Sequence, residues 1–239
     1  MVMNGVGSRL KVISTGSSEI DKKLGGGIPA GSLTLLEGQS DSGKSVVAQQ
    51  MIWGSLHDGA SVVLYTTENT VKSFIRQMAS LALDVLDFVL LGRLRIVEIS
   101  SGRAGLDAVQ VLEMLITSMR KDTGADMMVV DSLTTFVSHG VTDEAVAYFE
   151  DCREICSDYG KTIMNISNSY AFDNATLARL RSMCDAHLSL RVEEVGDKLV
   201  KIMEVSKIRG ASKTTGNIIT FDVEPNLGMR IIPISKASA

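Results

Sequence analysis

The sequence predicts an α/β fold: a mostly parallel central sheet flanked by helices, with antiparallel strands added at the C-terminal end. Three observations predict it. Short apolar runs alternate with longer amphipathic ones between residues 32 and 167, the pattern of buried strands joined by crossover helices. The stretch "GQSDSGKS", Gly38 to Ser45, follows one apolar run and opens an amphipathic one, which is the context a phosphate-binding loop requires. From His187 onward the period falls to two, with Leu188, Leu190 and Val192 alternating with polar residues, as in half-solvated antiparallel strands.

The elements follow in order. Residues 32–37 read as a buried strand and 44–56 as a helix stopped near Gly59. Residues 61–66 are the next strand. After Thr70, a candidate N-cap, Val71, Phe74, Ile75, Met78 and Ala82 recur at helical spacing. Residues 94–99 are a strand. Leu106, Val109, Leu112, Leu115, Ile116 and Met119 share a helical face that ends near Gly124. Residues 127–130 form a short apolar strand, 143–159 a helix with Gly160 as its C-cap, and 162–167 a central strand. Two alternating runs flank the turn at residues 194–197 and read as a hairpin ending near residue 206, with further strands at 217–223 and 229–234. The segment 169–178, carrying Tyr170 and Phe172, reads as a loop.

Composition bounds the function. The 239 residues are 45% hydrophobic, enough for one large α/β domain spanning 1–239. The net charge of -4 provides no global basic field for nucleic acid or an anionic membrane surface. Cys152, Cys156 and Cys184 are an odd count with no signal-peptide pattern, so a reduced, cytoplasmic setting is expected. Apolar stretches such as 88–91 and 127–130 are far shorter than the roughly 20 residues of a spanning helix. Cys152 and Cys156 lack a second ligand pair of convincing spacing and read as buried thiols. Met114, Met119, Met127 and Met128 read as core, and the charged run 191–201 as a solvated hairpin tip.

The chemistry concentrates at the phosphate loop, Gly38, Gln39, Ser40, Asp41, Ser42, Gly43, Lys44 and Ser45. It matches G-x-x-x-x-G-K-[ST] in full. Backbone N–H groups and a helix N-terminus would cradle a β-phosphate. Lys44 would reach the β- and γ-phosphates, and the Ser45 hydroxyl would ligate Mg²⁺. Asp41 would repel phosphate if it faced inward, so it is expected to point outward. Asp131 ends the strand "MMVVD" at the carboxyl edge of the sheet, where it would hold Mg²⁺ through a bound water.

These residues carry a resemblance. "ISTGSSEIDKKLGGGIPAGSLTLLEGQSDSGKS", Asp131 and "SKIRGASKTTG" resemble the RecA-like ATPases with a P-loop core, the KaiC branch most closely. Within that branch "VVAQQ" and "TTENTVKSFIRQM" are similar to the archaellum ATP-binding family, FlaH or ArlH. The resemblance implies ATP and Mg²⁺ as ligands and a homo-oligomeric ring, a hexamer, with nucleotide at subunit interfaces. It implies a place at the cytoplasmic base of the archaeal motility filament, with the motor ATPase FlaI, the membrane platform FlaJ and a scaffold such as FlaX as partners.

The KaiC-like pattern has two consecutive glutamates after the second strand. Here Glu68 matches the first and Asn69 replaces the second. An amide orients water but cannot accept its proton at neutral pH, so hydrolysis is expected to be slow or absent. Glu68 keeps two readings: a base that activates water, or an acid complementing the helix that begins near Val71. Lys207 and Arg209 would face one side of a strand, and in the KaiC-like pattern such a pair reaches a neighbour's γ-phosphate. Asn168, after the strand 162–167, is a candidate γ-phosphate sensor. The favoured function is a nucleotide-dependent switch that controls docking to FlaI. The alternatives are an active KaiC-like ATPase or autokinase outside motility, and a recombinase-type DNA-binding ATPase.

Overall fold

The computed structural model describes residues 11–99, 106–137, 142–195, 198–211 and 217–232. Among these residues nine strands form one sheet. In chain order they are β3 (Leu33–Gly38), β4 (Val62–Thr66), β5 (Leu94–Glu98), β6 (Met127–Asp131), β7 (Thr162–Asn168), β8 (Ala186–Val195), β9 (Lys198–Ile208), β10 (Ile218–Glu224) and β11 (Gly228–Ile231). Their spatial order is β11-β10-β9-β8-β3-β7-β6-β4-β5. From β8 to β5 all neighbours are parallel, and β9, β10 and β11 add on antiparallel. This is the sheet the alternation of periods predicts. A two-stranded ladder of β1 (Val12–Ile13) and β2 (Ile28–Pro29) precedes it; its strands are too short to leave a periodic signal.

The central strands β3, β4 and β6 are buried at every position because both faces are covered. Along β4, Val62 and Leu64 pack into one core and Val63 and Tyr65 into the other. β6 divides its residues the same way, Met127 and Val129 against Met128 and Val130. The first core lies under α2 (Lys44–His57) and α3 (Val71–Ser80), which contribute Val47, Met51, Phe74 and Met78. The second lies under the helices at Ala108–Lys121, Thr142–Tyr159 and Asn174–Met183, which contribute Leu115, Phe149, Cys152 and Leu180. Labelled in chain order after α1 (Ser18–Lys23) and α4 (Leu86–Leu90), these are α5, α7 and α8, with α6 the short turn Thr134–Val137. No helix among the described residues is long and apolar enough to cross a membrane.

Several helix ends are set by side chains that the sequence exposes. Thr70 caps α3 in a reciprocal box with Ser73, and Asp107 caps α5 with Gln110. The segment 169–178 is not a loop throughout. Ser169–Ala171 forms a 3-10 turn, and α8 begins at Asn174, where Asp173 accepts from the N–H groups of Ala175 and Thr176. The signal was an Asp followed three residues later by Thr, ahead of Leu177 and Leu180. Tyr170 is exposed, while Phe172 packs on the second core. Met114 is also exposed, a departure from its reading as core. The tip residues 196 and 197 and the segment 212–216 lie outside the described residues.

The opening motif has a positional role. Asp21 accepts from the Ser14 hydroxyl at 2.6 Å, the Thr15 hydroxyl at 2.7 Å and the Thr15 N–H at 2.8 Å. The turn so fixed rests on α2 at Gly54, where a Cβ would fall 2.4 Å from both Gly16 N and Ser14 O. The clash is with backbone on both sides, so it cannot be relieved by a rotamer. Gly54→Ala is therefore expected to destabilise by roughly 1–3 kcal/mol, the usual range for overpacking. Thermal unfolding followed by circular dichroism checks it, and an unchanged midpoint would refute the contact.

Candidate nucleotide-binding site

β3 delivers the phosphate loop to the carboxyl edge of the sheet. Gly38 is required there because a Cβ would sit 2.2 Å from Leu190 O on β8. The loop is then pinned to β8: Gln39 N–H donates to Leu190 O at 3.2 Å, and Val192 N–H donates to Gln39 Oε1 at 3.1 Å. Ser42 is buried and its hydroxyl closes the loop on Gln39 O at 2.8 Å. Gly43 has φ 94 and precedes α2 without a side-chain cap. An uncapped helix start of this kind is suited to an anion.

Lys44 is buried, and its Nζ donates to Gln39 O at 2.6 Å and Gly38 O at 3.4 Å. Burial lowers its pKa, opposed by the carboxylates of Asp131, Glu68 and Asp41. Asp41 is exposed at the rim with φ 60. Ser45 hydrogen-bonds Asp131. Asp131 ends β6, is 5% exposed, and has its pKa pushed up to about 7. Burial is the largest cause and the Glu68 charge adds to it, against the Ser45 hydrogen bond and the Lys44 charge.

The strand end that carries Glu68 is folded by short bonds. Thr66 Oγ1 accepts from the N–H groups of Glu68 at 3.2 Å and Asn69 at 3.1 Å. Thr67 N–H donates to Asp131 O at 2.9 Å, which joins the ends of β4 and β6. Ser132 Oγ then donates to Glu68 Oε1 at 3.2 Å. Asn69 turns the other way: its Oδ1 accepts from Ser73 Oγ at 3.1 Å in the first turn of α3. The acid that serves the start of α3 is Glu98, which accepts from Val71 N–H at 2.7 Å. Glu68 is thus left facing the phosphate loop.

One cavity of 610 Å³ brings together Lys44, Ser45, Glu68, Asp131 and Asn168, with Ser40, Asp41 and Gly43 on the loop side. Asn168 is held by its N–H on Thr134 Oγ1 at 2.8 Å and by Nδ2 on the Tyr170 hydroxyl at 3.0 Å. The same cavity is lined by Lys201 from β9 and Gln77 from α3, which sequence reasoning missed. Lys201 belongs to the run read as a solvated tip. Pairing with Val192 on one side and Phe221 on the other places it over the loop, where its Cδ would be 3.2 Å from a Cβ at Gly43.

Lys207 and Arg209 do not line this cavity. β9 runs antiparallel to β8, and Lys207 pairs with His187, which lies beside Leu35. The pair is therefore displaced toward the amino edge of β3, away from the loop. Lys207 Nζ donates to Arg181 O at 2.8 Å, and Arg209 donates to Ser182 O at 3.2 Å. The two cations do project together, onto the last turn of α8. Cys152, Cys156 and Cys184 are buried, and burial raises all three thiols, Cys152 to about 12.

The KaiC ATPase family model matches residues 13–236. The chain belongs to the KaiC ATPase family. It is similar to the archaeal flagellar ATP-binding protein FlaH of Sulfolobus acidocaldarius, 29% identical over 95% of this chain and 100% of that one. The FlaH of Methanocaldococcus jannaschii is 25% identical over 92% of this chain and 94% of its own length. The crystal structure of the flagellar accessory protein FlaH from Methanocaldococcus jannaschii superposes with a TM-score of 0.82 at 25% identity, covering 94% of this chain and 100% of that one. The expected resemblance to FlaH within the KaiC branch is borne out.

Proposed function

We propose that the chain is an ATP-binding regulatory component of the archaellum motor, a switch that holds nucleotide better than it consumes it. Similarity to FlaH proteins supports the setting. The observation that carries the switch reading is the division of labour after β4. Glu68 faces the cavity, whereas Asn69, at the second acid position of the KaiC-like pattern, is engaged by the Ser73 hydroxyl in the first turn of α3. A positioned base contributes about 10²–10⁴ in rate, and here a single carboxylate supplies it.

The residues fit ATP with Mg²⁺. The glycine loop is held open at an uncapped helix start, and the Ser45–Asp131 pair offers oxygen donors of the type a hard cation takes. Ser40 to Ser45 would bind the phosphates, with Lys44 on the β- and γ-groups and Lys201 as an added cation. Ser45 would ligate Mg²⁺, and Asp131 would act through a water. The metal supplies charge neutralisation between phosphates. Lys207 and Arg209 would serve a neighbouring subunit's γ-phosphate in a head-to-tail ring, a hexamer by family pattern, which makes assembly and nucleotide state interdependent. The ring would sit at the cytoplasmic face of the archaellum base, in contact with FlaI, FlaJ and FlaX or its counterparts.

FlaI binding measured with Mg-ATP, without nucleotide and with Lys44→Ala tests this reading. ATP is expected to raise affinity at least tenfold, and Lys44→Ala to lose that gain. Equal binding in all three states would overturn it. Because Glu68 does face the cavity, an active KaiC-like ATPase is the second reading. Fast turnover that collapses with Glu68→Ala would establish it.

A further inference from the structure

Glu37 is a carboxylate with 0% exposure on the face of β3 that also carries Leu33 and Leu35. Its Oε1 accepts from Arg181 Nε at 2.7 Å and lies 2.8 Å from His187 Nε2, with the Arg181 terminal nitrogen also in contact. Its Oε2 has no partner. Burial alone would raise this carboxyl, but the His187 hydrogen bond and the Arg181 charge outweigh burial and hold it below its usual value. A buried ion pair is a weak source of stability, because packed apolar groups often do as well. The cluster is better explained by what it fixes.

Glu37 is bonded in sequence to Gly38, the first residue of the phosphate loop, whose carbonyl accepts from Lys44. On its other side it clamps Arg181 in the last turn of α8. That turn carries the two carbonyls on which Lys207 and Arg209 rest, Arg181 O and Ser182 O. His187, the second partner of Glu37, is the cross-strand neighbour of Lys207. Asp185 closes the circuit: it accepts from Leu33 N–H at 3.0 Å and lies 3.6 Å from Arg209. Every step from the loop to the cation pair is thus a charge-assisted bond or a backbone bond.

We propose that Glu37 is a positioning residue that couples the phosphate loop of its own chain to the orientation of Lys207 and Arg209 at the opposite edge of the sheet. The inference rests on the reading that this cation pair acts on a neighbouring subunit. A nucleotide that draws on Gly38 and Lys44 moves the backbone that carries the Glu37 carboxylate. The hold of its Oε1 on two Arg181 nitrogens passes the shift to the last turn of α8. An apolar residue at 37 would let α8 settle independently of the loop.

The test compares subunit association by sedimentation, with and without Mg-ATP, and ATP affinity by calorimetry. Wild type, Glu37→Gln, Arg181→Gln, their double variant and Lys207→Ala/Arg209→Ala are measured as full chains. Glu37→Gln is expected to bind ATP within about threefold of wild type while the ATP-induced gain in association falls at least tenfold, with no further loss in the double variant. A purely structural role would lower stability, or association in both conditions alike, and leave the gain intact, which overturns the proposal. Should Glu37→Gln fail to fold, Arg181→Gln decides alone, since that side chain is 41% exposed. If Lys207→Ala/Arg209→Ala keeps the full gain, the reading of the cation pair has failed and the proposal with it. If that variant loses the gain and Glu37→Gln keeps it, the proposal alone has failed.

Discussion

Lys44→Ala is expected to lower ATP affinity by roughly 10²–10⁴. Hydrogen bonds to charged groups contribute about 1.5–3 kcal/mol each, and in the proposed site the Lys44 ammonium would serve two phosphates. The loss would be compounded electrically. Lys44 is the cation that opposes burial and Glu68 at Asp131, so its removal makes the ionised form of Asp131 harder to reach and weakens Mg²⁺ as well as phosphate. The fold should survive. Lys44 is buried against a desolvation penalty, so removing it relieves a cost as well as breaking its bonds to the carbonyls of Gly38 and Gln39. Calorimetry of ATP binding, with circular dichroism as a control, checks both halves. Affinity within tenfold of wild type would show that Lys44 does not meet the phosphates.

The parts of the site that the sequence reveals are those built from contiguous residues. The phosphate loop is a single run with its strand before and helix after, and Asp131 is an acid at the end of an apolar run. Glu68 is legible for the same reason; in the structure Glu98, from a different strand, accepts the hydrogen bond at the start of α3. Lys201 was hidden by register. In sequence it is one charge among several between residues 191 and 201, and only the pairing of β9 with β8 and β10 carries it to the loop.

Lys207 and Arg209 show the opposite limit. Alternation correctly puts them on a common side, yet it could not reveal that they rest on carbonyls at the end of α8. That helix lay in a segment read as loop through residue 178, since its apolar positions are few and Tyr170 and Phe172 precede it. Glu37 carries a signal of its own: an acid inside the run "LTLLEG" belongs to a strand covered on both faces, so it must be paired. Naming its partners needs the parallel neighbour β8 for His187 and α8 for Arg181, both about 150 residues away in sequence.

Asp131 should make the protein's stability and its metal affinity run in opposite directions with pH. Its folded pKa of about 7 stands above the ordinary value of 3.8, so between these limits the native state holds a proton that the unfolded chain has released. Without nucleotide, stability from this group is therefore greatest at low pH and falls as pH rises toward about 7, with no further change above it. Mg²⁺ requires the carboxylate, so the affinity for Mg-ATP should rise over the same window, by at most about tenfold per pH unit, and level off beyond it. Asp131→Asn separates the two effects. The amide keeps a hydrogen-bonding group beside Ser45 without a charge to desolvate or to repel Glu68. The variant should melt higher than wild type at pH 8 without nucleotide, and should lose the pH dependence of Mg-ATP binding along with most of its strength. Glu68→Gln should move the wild-type midpoint downward, because the Glu68 charge is the second cause of the shift. Melting profiles between pH 4 and 8 that are parallel for wild type and Asp131→Asn would refute this account. The site would then be reading some other group, and the tension between a dry carboxylate and the cation it awaits would not be what tunes it.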